Sequence, residues 1–112
     1  MDKENAIKLF EDKRVRVLWD EEQEKWYFSI VDVVEVLTES IDANAYWRKL
    51  KERMKKEGNQ TVTNCHGLKM FAADGKMRMT DVADTDQLLR LMREIYWNLS
   101  LKLIMLISML FV

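Results

Sequence analysis

Between Arg14 and Leu37 the hydrophobic pattern passes from a period of two to a helical period with no linker between. That change restricts the fold more than any other feature. Arg14-Val15-Arg16-Val17-Leu18-Trp19 alternates polar and apolar residues before ending on two apolar ones, the pattern of a half-buried strand. The acidic run Asp20-Glu21-Glu22-Gln23-Glu24-Lys25 reads as an exposed turn, and Trp26-Tyr27-Phe28 returns as an aromatic strand. Ser29 and Asp32 then stand at capping-box spacing, hydroxyl and carboxylate each covering a free backbone donor. Ile30, Val33, Val34 and Leu37 follow at i, i+3, i+4 and i+7, which puts all four on one helical face. The expectation is a β-hairpin that feeds directly into a helix, with Trp19, Trp26 and Phe28 building the core.

A second helix is predicted over Asn44 to Glu57. Trp47, Leu50 and Met54 share one stripe, Tyr46 lies beside it, and Gly58 supplies the stop. Leu68-Lys69-Met70-Phe71 and Lys76-Met77-Arg78-Met79-Thr80 flank Asp74-Gly75, a strong hairpin signal because glycine accepts positive φ cheaply. Asp84 or Thr85 caps a further helix carrying Leu88, Leu89, Leu91, Met92 and Ile95. The order is hairpin, two helices, hairpin, helix. That is an α+β class, without the βαβ alternation of a parallel sheet.

The chain's 112 residues fit one domain, and 48% apolar content excludes a disordered chain. Net charge is −1, but it is unevenly spread. Residues 1–40 carry six basic and eleven acidic side chains, whereas 41–60 carry six and three, and 61–80 carry three and one. A basic middle is hidden behind an acidic start.

Catalytic signatures are missing from the sequence. The single histidine, His66, adjoins the single cysteine, Cys65; a metal site wants more ligands, so the pair reads as part of a turn or loop. Asp20 to Glu24 lack the glycine and terminal glutamate of a calcium loop. The three glycines, Gly58, Gly67 and Gly75, form no phosphate cradle. A non-enzyme with no cofactor and no metal is expected. One cysteine argues for a reducing compartment, and Met1 to Asn5 is charged with no apolar run behind it, so the expected location is cytoplasmic.

The basic helix is the functional lead. Arg48, Lys49, Lys51, Lys55 and Lys56 project away from the apolar stripe and are suited to phosphates, while Asn44 can reach a base edge. With the helix before it, this segment resembles a helix-turn-helix pair. Lys69, Lys76 and Arg78 add charge on the second hairpin, and a two-stranded ribbon also enters a major groove. Double-stranded DNA is therefore the expected partner. Equally, the same charges would serve to solvate the outer face of a packed helix.

The terminus is different in kind. Leu99 to Val112 is apolar apart from Ser100, Lys102 and Ser108, and is shorter than the roughly 20 residues of a membrane span. A buried or self-associating helix is expected instead. Leu103, Leu106, Ile107 and Leu110 at i, i+3, i+4 and i+7 would form a homodimer contact.

Several segments, in order, carry a family resemblance. Val17-Leu18-Trp19-Asp20 through Trp26-Tyr27-Phe28-Ser29-Ile30-Val31-Asp32-Val33, Tyr46-Trp47-Arg48-Lys49-Leu50-Lys51, Val62-Thr63-Asn64-Cys65, Leu68-Lys69-Met70, Ala73-Asp74-Gly75-Lys76 and Thr80-Asp81-Val82-Ala83-Asp84-Thr85 resemble the Bro-N domain. That domain opens baculovirus repeated-ORF proteins, prophage antirepressors and relatives of damage-inducible protein D. The resemblance spans about residues 6–95 and implies a small DNA-binding or repressor-interfering module acting in transcriptional regulation. It implies no cofactor and no catalytic site. A protein-interaction module that captures a phage repressor or recombination protein is the alternative. After about Glu94 the chain leaves the family's pattern, so residues 1–95 are expected to form the Bro-N-like domain and 96–112 an atypical, truncated or altered end.

Overall fold

The computed structural model describes residues 3–10, 13–59 and 66–96. In chain order these form β1 (Lys3–Phe10), β2 (Lys13–Asp20), β3 (Lys25–Ser29), α1 (Ile30–Thr38), α2 (Ala43–Lys56), β4 (His66–Phe71), β5 (Met77–Asp84) and a helix over 85–96, called α3. The strands make one antiparallel sheet in the order β1-β2-β3-β5-β4. The α+β class and the order of hairpins and helices are as the sequence indicates. Strand β1 is an addition: it pairs along its whole length with β2, from Lys3 opposite Asp20 to Phe10 opposite Lys13. Its lysines and glutamate hid it from a hydrophobicity pattern.

Local chemistry sets the element ends. Asp20 is buried, and its carboxylate accepts the N–H groups of Glu22 and Gln23 at 3.1 and 3.3 Å, closing the β2–β3 turn. Ser29 caps α1 by accepting the Asp32 N–H. The expected reciprocal half of that capping box is replaced, because the Asp32 carboxylate is taken by Arg16. Asp42 caps α2 through the Ala45 N–H, so the helix begins at Ala43, one residue before the predicted start. At the other end, Gly58 (φ +72°) donates to the Lys55 carbonyl and Asn59 to that of Met54, a Schellman stop. A reciprocal box does form at α3, where Asp84 accepts from the Gln87 N–H and the Gln87 amide oxygen accepts from Asp84.

Two apolar clusters sit on opposite faces of the sheet. On one, Ile30 and Val34 of α1, Ala43, Trp47, Leu50 and Met54 of α2, and Leu91 and Ile95 of α3 close over Ala83 of β5. On the other, Leu18, Tyr27, Val82 and Met70 meet, one from each of the four strands β2, β3, β5 and β4. Register explains the division, since neighbours along a strand point to opposite faces. Trp19 and Trp26 depart from expectation. They face each other across β2 and β3, centroids 5.2 Å apart, and with Phe28 are half-buried and outside both clusters. Of the apolar residues expected along α3, Leu89 is exposed.

Arg16 shows that the sheet curls. In a flat sheet β2 and β4, with two strands between them, lie about 14 Å apart. Yet the Arg16 guanidinium donates to the Phe71 carbonyl at the end of β4 at 3.0 Å. The same side chain forks onto Asp32 at 2.7 and 3.0 Å and reaches the Ser29 hydroxyl at 3.2 Å. One arginine joins β2, the start of α1 and the end of β4.

Among the described residues, no helix is long and apolar enough to cross a membrane.

Candidate nucleic-acid interface

Helix α2 divides the sequence-predicted cations into two groups. Asn44, Arg48, Lys51 and Lys55 follow i, i+4, i+7 and i+11, which at 100° per residue makes one stripe along the helix. Lys49 and Lys56 lie about a third of a turn further round. All six residues are exposed except Lys51, which is half-buried.

The stripe is anchored on β5. The Asp81 carboxylate accepts from Trp47 Nε1 and from Lys51 Nζ, each at 2.8 Å, and the Lys51 ammonium stands 5.7 Å from the centre of the Trp47 ring. Burial pushes the Asp81 carboxyl up, but the hydrogen bonds from Lys51 and Trp47, and the charges of Lys51 and Lys55, outweigh it. Asp81 is thereby held below the usual carboxylate range. So Lys51 does not simply project from the far side of the helix; it packs α2 on the sheet. Arg48 and Lys55 are the exposed cations of the stripe.

The β4–β5 hairpin continues this surface. Strand β3 pairs only with Val82 to Asp84, so residues 77–81 run past the end of β3 and, among the described residues, pair with β4 alone. Lys69 opposite Met79 and Phe71 opposite Met77 share the face of Asp81. Arg78 takes the opposite face and is tied to Asp74 across the turn. That bond, together with the Lys76 N–H, holds the Asp74 carboxyl below its ordinary value. Lys76 sits exposed in the turn, where Gly75 adopts φ +80°.

The structure thus brings Arg48, Lys51, Lys55 and Lys69 to one side of the molecule. It sets Lys49 and Lys56 round the helix, Lys76 at the hairpin tip, and Arg78 behind it. Asn44 begins the α2 stripe and is exposed. Leu103, Leu106, Ile107 and Leu110, the expected self-association residues, lie outside the described residues, as does Cys65.

Sequence reasoning missed three residues on this side. Phe71, Met77 and Met79 are 54, 43 and 66% exposed, an apolar patch beside Lys69. The signal was available: Met77, Met79 and Asp81 alternate with Arg78 and Thr80, so one face of the strand carries both the ion pair and the methionines.

Compared with protein-family models, curated proteins and solved structures, the chain matches none of them.

Proposed function

We propose that this chain is a duplex-DNA-binding module of the prophage antirepressor type, acting in the cytoplasm in transcriptional regulation. The observation that supports it best is the exposed pair Arg48 and Lys55 on the flank of α2 that borders the hairpin carrying Lys69. Asp81, on the strand that faces this flank, is already neutralised by Lys51. Phosphates approaching this side meet uncompensated cations, and their neutralisation releases counterions from the duplex. The Bro-N resemblance of residues 6–95 supports the same reading. In this reading Asn44, on the same stripe, reaches a base edge, while Arg48, Lys55 and Lys69 act on phosphates.

The test is fluorescence anisotropy of a labelled duplex across a salt series. Arg48→Glu with Lys55→Glu is expected to abolish measurable binding at moderate salt. Neutral Arg48→Gln with Lys55→Gln is expected to flatten the salt slope by about two, one for each lost phosphate contact. Lys49→Glu with Lys56→Glu, on the flank turned away, is expected to weaken binding less. A parent chain that bound no duplex at low salt would overturn the reading in favour of capture of a phage repressor or recombination protein.

A further inference from the structure

The β4–β5 hairpin carries more apolar surface than a phosphate-binding ribbon needs. Phe71 and Met77 are directly opposed across the two strands, Met79 follows on the same face, and all three are substantially exposed. The Met79 methyl lies over Gly67, whose position would bring a Cβ to 3.1 Å of it, so the thioether rests flat along the ribbon. Around the patch the unpaired charges are of one sign, since Asp81 on the same face is taken by Lys51. Lys69 shares its face and Lys76 stands at its tip, while the single carboxylate of the turn, Asp74, is bound by Arg78. A protein surface that docked here would have to present acids round an apolar centre. A duplex offers that combination wherever a base step opens: anionic phosphates flanking the apolar base faces that unstacking exposes.

We propose that this hairpin bends DNA, with Lys69 and Lys76 on the phosphates and Phe71, Met77 and Met79 wedged against an unstacked base step from the minor groove. Side chains of these types insert in this way when a flanking cation holds the backbone, and the unstacking is offset by the surface that the bent duplex then meets. Here that surface is the Arg48–Lys55 flank of α2, which lies on the same side of the sheet as the wedge. The ribbon is also held from behind. Arg16 bonds the Phe71 carbonyl and leaves the phenyl ring outside, so the wedge projects from a strand end fixed to α1 and β2. A pyrimidine–purine step such as TA, the easiest to unstack, is the favoured site.

The inference rests on the DNA-binding reading, and one experiment separates them. The full chain is titrated against a duplex carrying a central TA step, with 2-aminopurine beside the step and a donor–acceptor pair at the ends. The parent is expected to raise both the 2-aminopurine emission and the end-to-end energy transfer. Met77→Ala with Met79→Ala alters only exposed side chains; it is expected to bind within about tenfold of the parent, with the same salt slope, while losing both signals. Arg48→Glu with Lys55→Glu is expected to lose binding altogether. Duplex that is bound but stays straight and stacked, or a double-alanine variant that bends it as the parent does, overturns the wedge and leaves the DNA-binding reading standing. Failure of the parent to bind any duplex overturns both.

Discussion

Arg16 shows how much one side chain can decide. Its guanidinium meets two oxygens of Asp32, the Ser29 hydroxyl and the Phe71 carbonyl, and its own backbone N–H also donates to Asp32 at 3.0 Å. Only a planar fork of five donors serves that many acceptors, and an ammonium does not. Arg16→Lys is therefore expected to lower stability by about 2 kcal/mol, read as a fall in the urea midpoint at unchanged slope. The side chains are about a quarter and a seventh exposed, so the larger loss of a fully buried broken pair does not apply. An unchanged midpoint would show that Phe71 and Asp32 find other partners. Nothing in the sequence signals this pairing. Arg16 and Asp32 lie sixteen residues apart, and the alternation of Arg14 to Trp19 only marks Arg16 as a polar strand position.

At the scale of elements the sequence is far more legible. Ser29, Gly58, Asp74-Gly75 and Asp84 each mark a boundary that the structure places within a residue or two, because caps and turns are settled by short-range chemistry. The α2 stripe of Trp47, Leu50 and Met54 is buried as its spacing requires. Gly58 closes that helix with positive φ and an uncrowded Cβ position, so a substitution there meets backbone strain alone. Gly58→Ala is expected to cost about 1 kcal/mol and to lower the thermal midpoint, leaving the proposed DNA binding unchanged. A variant as stable as the parent would show that the Schellman stop contributes little. Strand β1 is the element that escaped notice, since KENAIKLF offers no alternation of the usual kind and is specified by its partner β2.

The whole molecule is tied together by carboxylates. Asp81 fastens α2 to β5, and Asp84 joins β5 to the start of α3 while bonding Lys25 of β3 at 3.3 Å. Burial pushes the Asp84 carboxyl up, but the Gln87 N–H and Lys25 outweigh it, so it too sits below its ordinary value. Groups with depressed folded pKa values bind more protons in the unfolded chain. Their stabilisation is present above the usual carboxylate value of about 3.9 and is lost as pH falls through the lower folded values. Asp81→Asn is accordingly expected to be less stable than the parent near neutrality, with the gap closing as acid titrates the parent. Urea unfolding of both chains between neutral pH and strong acid measures it, and a gap that widened in acid would contradict the assignment.

Apart from β1, the sequence by itself determined the elements, their order and their ends, because helical and strand periods, caps and tight turns act over a few residues. It also determined that the cations gather in the middle of the chain. Which cations stay free was decided only by the tertiary structure. Strand register set Asp81 beneath α2, where it took Lys51 and left Arg48 and Lys55 exposed, and the same register lined Lys69 up with Phe71, Met77 and Met79. The curl of the sheet, fixed by Arg16, brought distant strand ends into contact. Such long-range pairings depend on which faces meet after packing, and no local pattern encodes that.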